Sequence, residues 1–213
     1  MPYEPMSRNE APIRLFKNDF LESLTHVHPI VVLIIWVPIA LYHLLRAFSS
    51  STLSFGQVLL GFTIGVVAWS FTEYTIHRFV FHFTPKNPPA WLERLIFLFH
   101  GIHHVQPWDK TRLVMPPAVS GPLALVFYGL ISRLLTSVLG APQWIDPVFA
   151  GFVGGYLTYD MLHYATHHLP MKWGPLKWIK KYHMLHHYKT PNERYGVSSP
   201  AWDFVFRTLP EAE

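Results

Sequence analysis

PIVVLIIWVPIALYHLLRAF, residues 29–48, carries one formal charge, Arg46, in 20 positions. Roughly 20 apolar residues cross a bilayer core as a helix, so the stretch reads as a membrane span, with a kink expected at Pro38. A second span is read at 56–75 (GQVLLGFTIGVVAWSFTEYT), a third at about 117–139 and a fourth at 146–165, the last two broken by glycine and proline. Composition agrees. Only 14% of the 213 residues are charged and 50% are hydrophobic, whereas a soluble domain carries about 25% charged residues. The expected fold is an all-α integral membrane protein, its four transmembrane helices arranged as two hairpins beneath a helical cap. Residues 1–28 form an N-terminal segment, and 29–210 a single membrane domain with cap segments at 77–112 and 166–210. No signal peptide is expected in 1–28, which lacks a short apolar core followed by a small-residue cleavage site.

Lysine and arginine orient this arrangement. Segments 1–28, 77–112 and 166–213 hold 15 of the 17, and the turns SSSTLSF (49–55) and GAPQWI (140–145) hold none. By the positive-inside rule the termini and the cap face the cytoplasm. The expected location is the endoplasmic reticulum in a eukaryote or the inner membrane in a bacterium. A net charge of +4 is too small to argue for nucleic acid, and some of the basic residues are expected to anchor the helices to anionic lipid.

The cap is rich in histidine, which numbers 14 against 13 Asp and Glu. His77 and His82 follow the second span; His100, His103 and His104 form one H-x-x-H-H; His163 and His167 close the fourth span; His183, His186 and His187 form a second H-x-x-H-H within KYHMLHHYK (181–189). Residues i, i+3 and i+4 share a helical face, and neutral imidazole is the commonest metal ligand. Ten imidazoles exceed one metal's needs, since a structural zinc takes four ligands; two metals with about five nitrogens each would use them all. With no cysteine in the chain, an all-nitrogen shell suits iron, zinc, copper or nickel rather than calcium or magnesium. His77 and His82, five apart, lie about 140° apart on an ideal helix of ~100° per residue. They are therefore expected to serve different metals, unless the helix unwinds between them.

EYTIHRFVFH (73–82), HGIHH (100–104), DKTRLVMPP (109–117), GYLTYDMLHYATHH (155–168), KKYHMLHHYK (180–189) and GVSSPAWDFVFRTLP (196–210) together resemble the fatty acid hydroxylase and sterol desaturase superfamily of membrane di-metal oxygenases. They look most like its fatty acid 2-hydroxylases. The resemblance spans about residues 10–210 and implies that the ten histidines are the metal ligands, with His168 outside the set. It implies two metal ions, iron in the active form with zinc as an inactive occupant, and hydroxylation at C2 of a fatty acid or of a sphingolipid N-acyl chain using O2 and two electrons. Tyr159 resembles a residue near the substrate in this family.

Fungal and animal 2-hydroxylases carry a cytochrome b5 domain with a His-Pro-Gly-Gly haem motif. Here His28-Pro29 precedes Ile30, and 28 residues are too few for that domain. No haem, flavin or NAD is expected on this chain. Electrons are expected from a separate cytochrome b5 or ferredoxin with its reductase, docking near Lys172, Lys177, Lys180 and Lys181. Asp160, three residues before His163, is expected either to accept a ligand's second N–H or to take a capping or salt-bridge role with Lys or Arg of the cap; Glu73 and Asp109 are weaker candidates. Trp69, Phe71, Trp108, Tyr156 and Tyr159 are expected to line an apolar slot for the long-chain substrate, or to anchor the membrane interface. A desaturase or sterol methyl oxidase would use similar chemistry. A bis-histidine haem carrier would leave six or more of the ten histidines without a role, and a metal transporter should hold its ligands at mid-membrane. The absence of H-E-x-x-H removes the usual zinc protease.

Overall fold

The computed structural model describes residues 5–7 and 10–210; residues 1–4 and 8–9 of the N-terminal segment and 211–213 of the C-terminus lie outside the described residues. Among those described, the structure is helical throughout, without strands. Helix α1 (Asp19–Ser23) is capped by Asn18, whose side chain accepts from the Leu21 N–H. Helix α2 (Pro29–Ser49) is capped by the His28 imidazole and continues through Pro38 without a break. Ser54 and Gln57 exchange side-chain to backbone hydrogen bonds in a capping box that starts α3 (Phe55–Ile76). A wider π-turn, His77–Phe81, extends α3.

The cap begins with α4 (Ala90–Ile96), a second π-turn (Phe97–Gly101) and the short α5 (Ile102–Val105). The chain then returns through α6 (Pro117–Arg133), its π-turn extension to Val138, and α7 (Ile145–His168). Helices α8 (Gly174–Tyr188) and α9 (Ala201–Val205) complete the cap.

Among the described residues, three helical stretches are long and apolar enough to cross a membrane: Pro29–Ser49, Phe55–Phe81 and Pro117–Val138. The fourth expected span, now α7, is different in character. Of its 24 residues, 13 are buried, among them Pro147, Phe149, Tyr156 and Asp160. It is the centre of the bundle, with α2 and α3 both packed along it while barely touching each other. A helix covered by its neighbours can hold glycines, tyrosines and an aspartate that a lipid-facing helix could not.

Glycine sets how closely α3 approaches α7. A Cβ on Gly65 would lie 2.0 Å from the Val148 carbonyl oxygen, and one on Gly151 would lie 1.9 Å from that of Phe62. Small residues at such crossings let backbones approach where lipid supplies no hydrophobic drive. Around this contact Trp36, Trp69, Phe149, Phe152 and Tyr156 form a buried cluster. Trp36 and Trp69 both meet the Tyr156 ring edge-on, at 5.7 and 5.2 Å between centroids. Polar links pin the helices together. The Trp36 indole N–H donates to Ser120 at 3.2 Å, joining α2 to α6, and His43 Nδ1 lies 2.6 Å from Asp146 Oδ1, joining α2 to α7. The described part of the N-terminal segment is lashed to the cap: Arg94 donates to the Leu15 carbonyl at 2.7 Å, and Arg112 pairs with Glu22.

Candidate metal centre

The ten sequence-predicted histidines converge at the cap end of the bundle and divide into two groups of five. His77, His82, His100, His104 and His186 form one; His103, His163, His167, His183 and His187 form the other. Within each group the candidate ligand atoms lie within 4.8 Å of one another. Neighbouring Nε2 atoms stand 3.0 Å apart for His77–His100 and His100–His104, 3.1 Å for His82–His186, 2.9 Å for His103–His163 and His167–His183, and 3.0 Å for His183–His187.

The partition follows from helical geometry. In each H-x-x-H-H the first and last histidines, one turn apart, enter one group, and the middle one, rotated away, enters the other. Thus His100 and His104 join His186, while His183 and His187 join His103. His163 and His167, also i and i+4 on α7, complete the second group. His77 and His82 belong together in the first, against the expectation that they serve different metals. The π-turn between them is the reason: the His82 N–H bonds the His77 carbonyl at 3.1 Å, an i to i+5 closure that brings their Nε2 atoms to 3.2 Å.

These side chains fit metal ions. Burial, and the proximity of the other imidazoles, hold His100, His103, His183, His186 and His187 well below the ordinary imidazole range, and burial holds His104 at about 3. Neutral rings present nitrogen lone pairs at pH 7. The His77 Nδ1–H donates to the Tyr195 carbonyl at 2.5 Å and the His186 Nδ1–H to that of Glu193 at 2.7 Å. In both rings the proton is therefore on Nδ1 and the Nε2 lone pair points into the group. Spacings near 3.0 Å suit nitrogens that would share one ion at metal–nitrogen distances of about 2.1 Å. Five convergent lone pairs without protons between them would repel one another, and a cation relieves this.

The remaining histidines stand elsewhere. His168 is outside both groups with its ring against Tyr164, His43 faces Asp146, His28 caps α2, and His26 contacts Thr111. The carboxylates do not take the places expected for them. Asp160 accepts from the Met115 N–H at 3.2 Å and the Tyr156 hydroxyl at 3.2 Å, whereas His163 Nδ1 has no hydrogen-bond partner among the described residues. Asp109 accepts from Thr111. Glu73 accepts from the Val197 and Ser198 N–H groups and the Ser198 hydroxyl. A carboxylate on a ligand-bearing helix has other backbone within reach, and nothing in its spacing tells which it meets.

A cavity of about 520 Å³ runs from α1 and the start of α6 to the metal groups. Leu21, Leu24, Val80 and Val119 line it, and Tyr159, Asp160, His100, His103 and His163 wall its inner part. Of the five aromatics expected along such a slot only Tyr159 lines it, its ring 5.7 Å from that of His163. Trp69 and Tyr156 are instead in the bundle core, and Phe71 packs on Trp202. The aliphatic lining from α1 and α6 carries no aromatic signal in the sequence.

Comparison with known proteins places this geometry. The fatty acid hydroxylase family model matches residues 62–208. A dihydroceramide fatty acyl 2-hydroxylase of Arabidopsis thaliana is 37% identical over 98% of this chain and 84% of its own. The fatty acid 2-hydroxylase of Mus musculus is 35% identical over 97% of this chain and 58% of its own. The solved hydroxylase domain of scs7p superposes with a TM-score of 0.82 at 39% identity, covering 92% of this chain and 71% of that one. A matched region that runs from within α3 to three residues past the last cap helix encloses every one of the ten convergent imidazoles, and the chain belongs to the fatty acid hydroxylase family.

Proposed function

We propose that this protein hydroxylates an acyl chain at C2, in a free fatty acid or in the N-acyl chain of a sphingolipid. The observation that carries the reading is the apolar cavity whose inner wall is built from imidazoles of both groups, His100 of the first and His103 and His163 of the second. The relatives named as 2-hydroxylases of fatty acids and dihydroceramide support the position of attack. A methylene group becomes a secondary alcohol by taking one atom of O2; the other leaves as water, at the cost of two electrons and two protons. Each group of five histidines would hold one metal ion; iron there would supply the redox chemistry for O2, whereas zinc, lacking redox states, would fill the site without turnover.

The chain's own residues do the rest. Its imidazoles would hold the metals, the apolar cavity binds the acyl chain and excludes water, and Tyr159 and Asp160 stand where the carbons nearest the head group arrive. The test is mass spectrometry of lipids from a host expressing the protein. A new hydroxyl on C2 supports the reading; a new double bond or an oxidised sterol methyl assigns the related chemistry instead. A Soret band in the purified protein would point to a haem carrier.

Residues 29–210 act, in this reading, as one membrane domain in which α7 is a fourth span sheathed by α2, α3 and α6. The distribution of lysine and arginine supports a cytoplasmic cap and termini, in the endoplasmic reticulum or a bacterial inner membrane according to the host. The residues present include no cysteine for an iron–sulfur cluster and no dinucleotide glycine fingerprint. A separate reduced carrier, cytochrome b5 or a ferredoxin with its reductase, supplies the electrons. Lys172, Lys177 and Lys181 are exposed around the start and outer face of α8, where an acidic carrier would be steered.

A further inference from the structure

The two histidine groups are held differently, and the difference lies in a loop outside the ligand set. Residues 193–198 follow α8, and two of their carbonyls, Glu193 and Tyr195, accept the Nδ1–H groups of His186 and His77. Both histidines belong to the first group. In the second group, His163, His183 and His187 have Nδ1 atoms that are buried with no partner among the described residues.

Two buried carboxylates fasten this loop. Asp203, wholly buried on α9, accepts the Tyr195 N–H at 2.8 Å and the Thr208 hydroxyl at 2.6 Å on Oδ1, and the Gly196 N–H at 2.7 Å and the Tyr182 hydroxyl at 2.9 Å on Oδ2. Glu73 holds the far end, accepting the Val197 and Ser198 N–H groups, each at 2.8 Å. The fit leaves no slack: a Cβ on Gly196 would lie 2.0 Å from the Ser199 carbonyl oxygen.

We infer that Asp203 is a positioning residue for the first metal position: through the 193–198 loop it fixes the tautomer and orientation of His77 and His186. The first group thereby retains its metal more firmly than the second. This rests on the proposal that each group binds one ion. All four groups facing Asp203 are donors, so an amide in its place must set N–H against N–H on one side, whichever way it turns. Loss of such an outer partner typically lowers metal affinity by roughly 10- to 100-fold.

The test measures metal, not turnover. Purified full-length protein is loaded with ferrous iron, its content measured by elemental analysis, and release to a chelator followed in time. The expected wild-type result is two ions per chain leaving in two phases. Asp203→Asn should accelerate the slow phase by roughly 10- to 100-fold and leave the fast phase in place. Tyr182→Phe, which removes one of the four hydrogen bonds, should move the same phase less. Ser198→Ala, acting from the Glu73 side, should also move that phase alone, and with Tyr182→Phe it decides the matter if Asp203→Asn does not fold. Fewer than two ions on the wild type would defeat the two-metal reading itself. Two ions leaving in a single phase, or variants that speed both phases alike or neither, would overturn the role of Asp203 while leaving the two metals standing.

Discussion

His43 and His186 are both buried imidazoles, yet their partners predict opposite outcomes on substitution. His186 directs Nε2 into the first metal group and its Nδ1–H to the Glu193 carbonyl. His186→Ala should abolish hydroxylation and lower bound metal by about one ion per chain, read by elemental analysis. His43 lies at the far end of the bundle against Asp146, which also pairs with Arg46 at 3.4 Å. His43→Ala should keep activity per folded molecule but cost about 1–3 kcal/mol by leaving a partly buried carboxylate short of a donor, measured as lowered thermal stability in detergent. At Tyr159 the ring against His163 and its place in the cavity wall predict that Tyr159→Phe changes turnover without changing metal content.

Among the elements, α7 makes the sharpest prediction because its packing is set by absent side chains. Gly65→Ala or Gly151→Ala would drive a methyl group into a facing carbonyl at about 2 Å. Overpacking of this kind costs about 1–3 kcal/mol or more, so both variants should melt earlier and lose the helix crossing that carries His77 and His163 towards each other. Gly129, on the exposed side of α6, has nothing among the described residues within 4 Å of its Cβ position. Gly129→Ala should be neutral or stabilising by about 0.5–1 kcal/mol through lower backbone entropy in the unfolded chain. The π-turns are the other decisive element. That at His77–Phe81 lets a five-residue spacing act as one turn, and no residue type in HRFVF announces it.

For the whole molecule, the proposal of a cytoplasmic cap predicts that a glycosylation reporter placed in the turn 50–54 is modified on the opposite side of the membrane. Protection of that turn would overturn the topology. The electron-donor proposal predicts that turnover with a reconstituted carrier weakens as salt shortens the Debye length from ~10 Å at 0.1 M. Turnover indifferent to salt, and unchanged in a Lys177→Glu, Lys180→Glu, Lys181→Glu triple variant, would leave these lysines to lipid head groups.

Chemistry and local spacing were written in the chain itself. The set of histidines that converge is the set that H-x-x-H-H, H-x4-H and H-x3-H mark out, because side chains a turn apart share a face whatever surrounds them. The apolar run of α2 was equally plain, since lipid imposes its length. The tertiary structure decided which histidines share a group, for that depends on how helices are rotated against each other and on a π-turn whose energetic margin is too small to leave a sequence signature. It also decided that α7 lies at the centre, that Asp160 meets Met115 and Tyr156 rather than an imidazole, and that aliphatic residues of α1 and α6 line the cavity. Apart from the Tyr156–Asp160 bond within α7, each of these is a contact between segments far apart in the chain, and spacing along one helix constrains only the geometry of that helix.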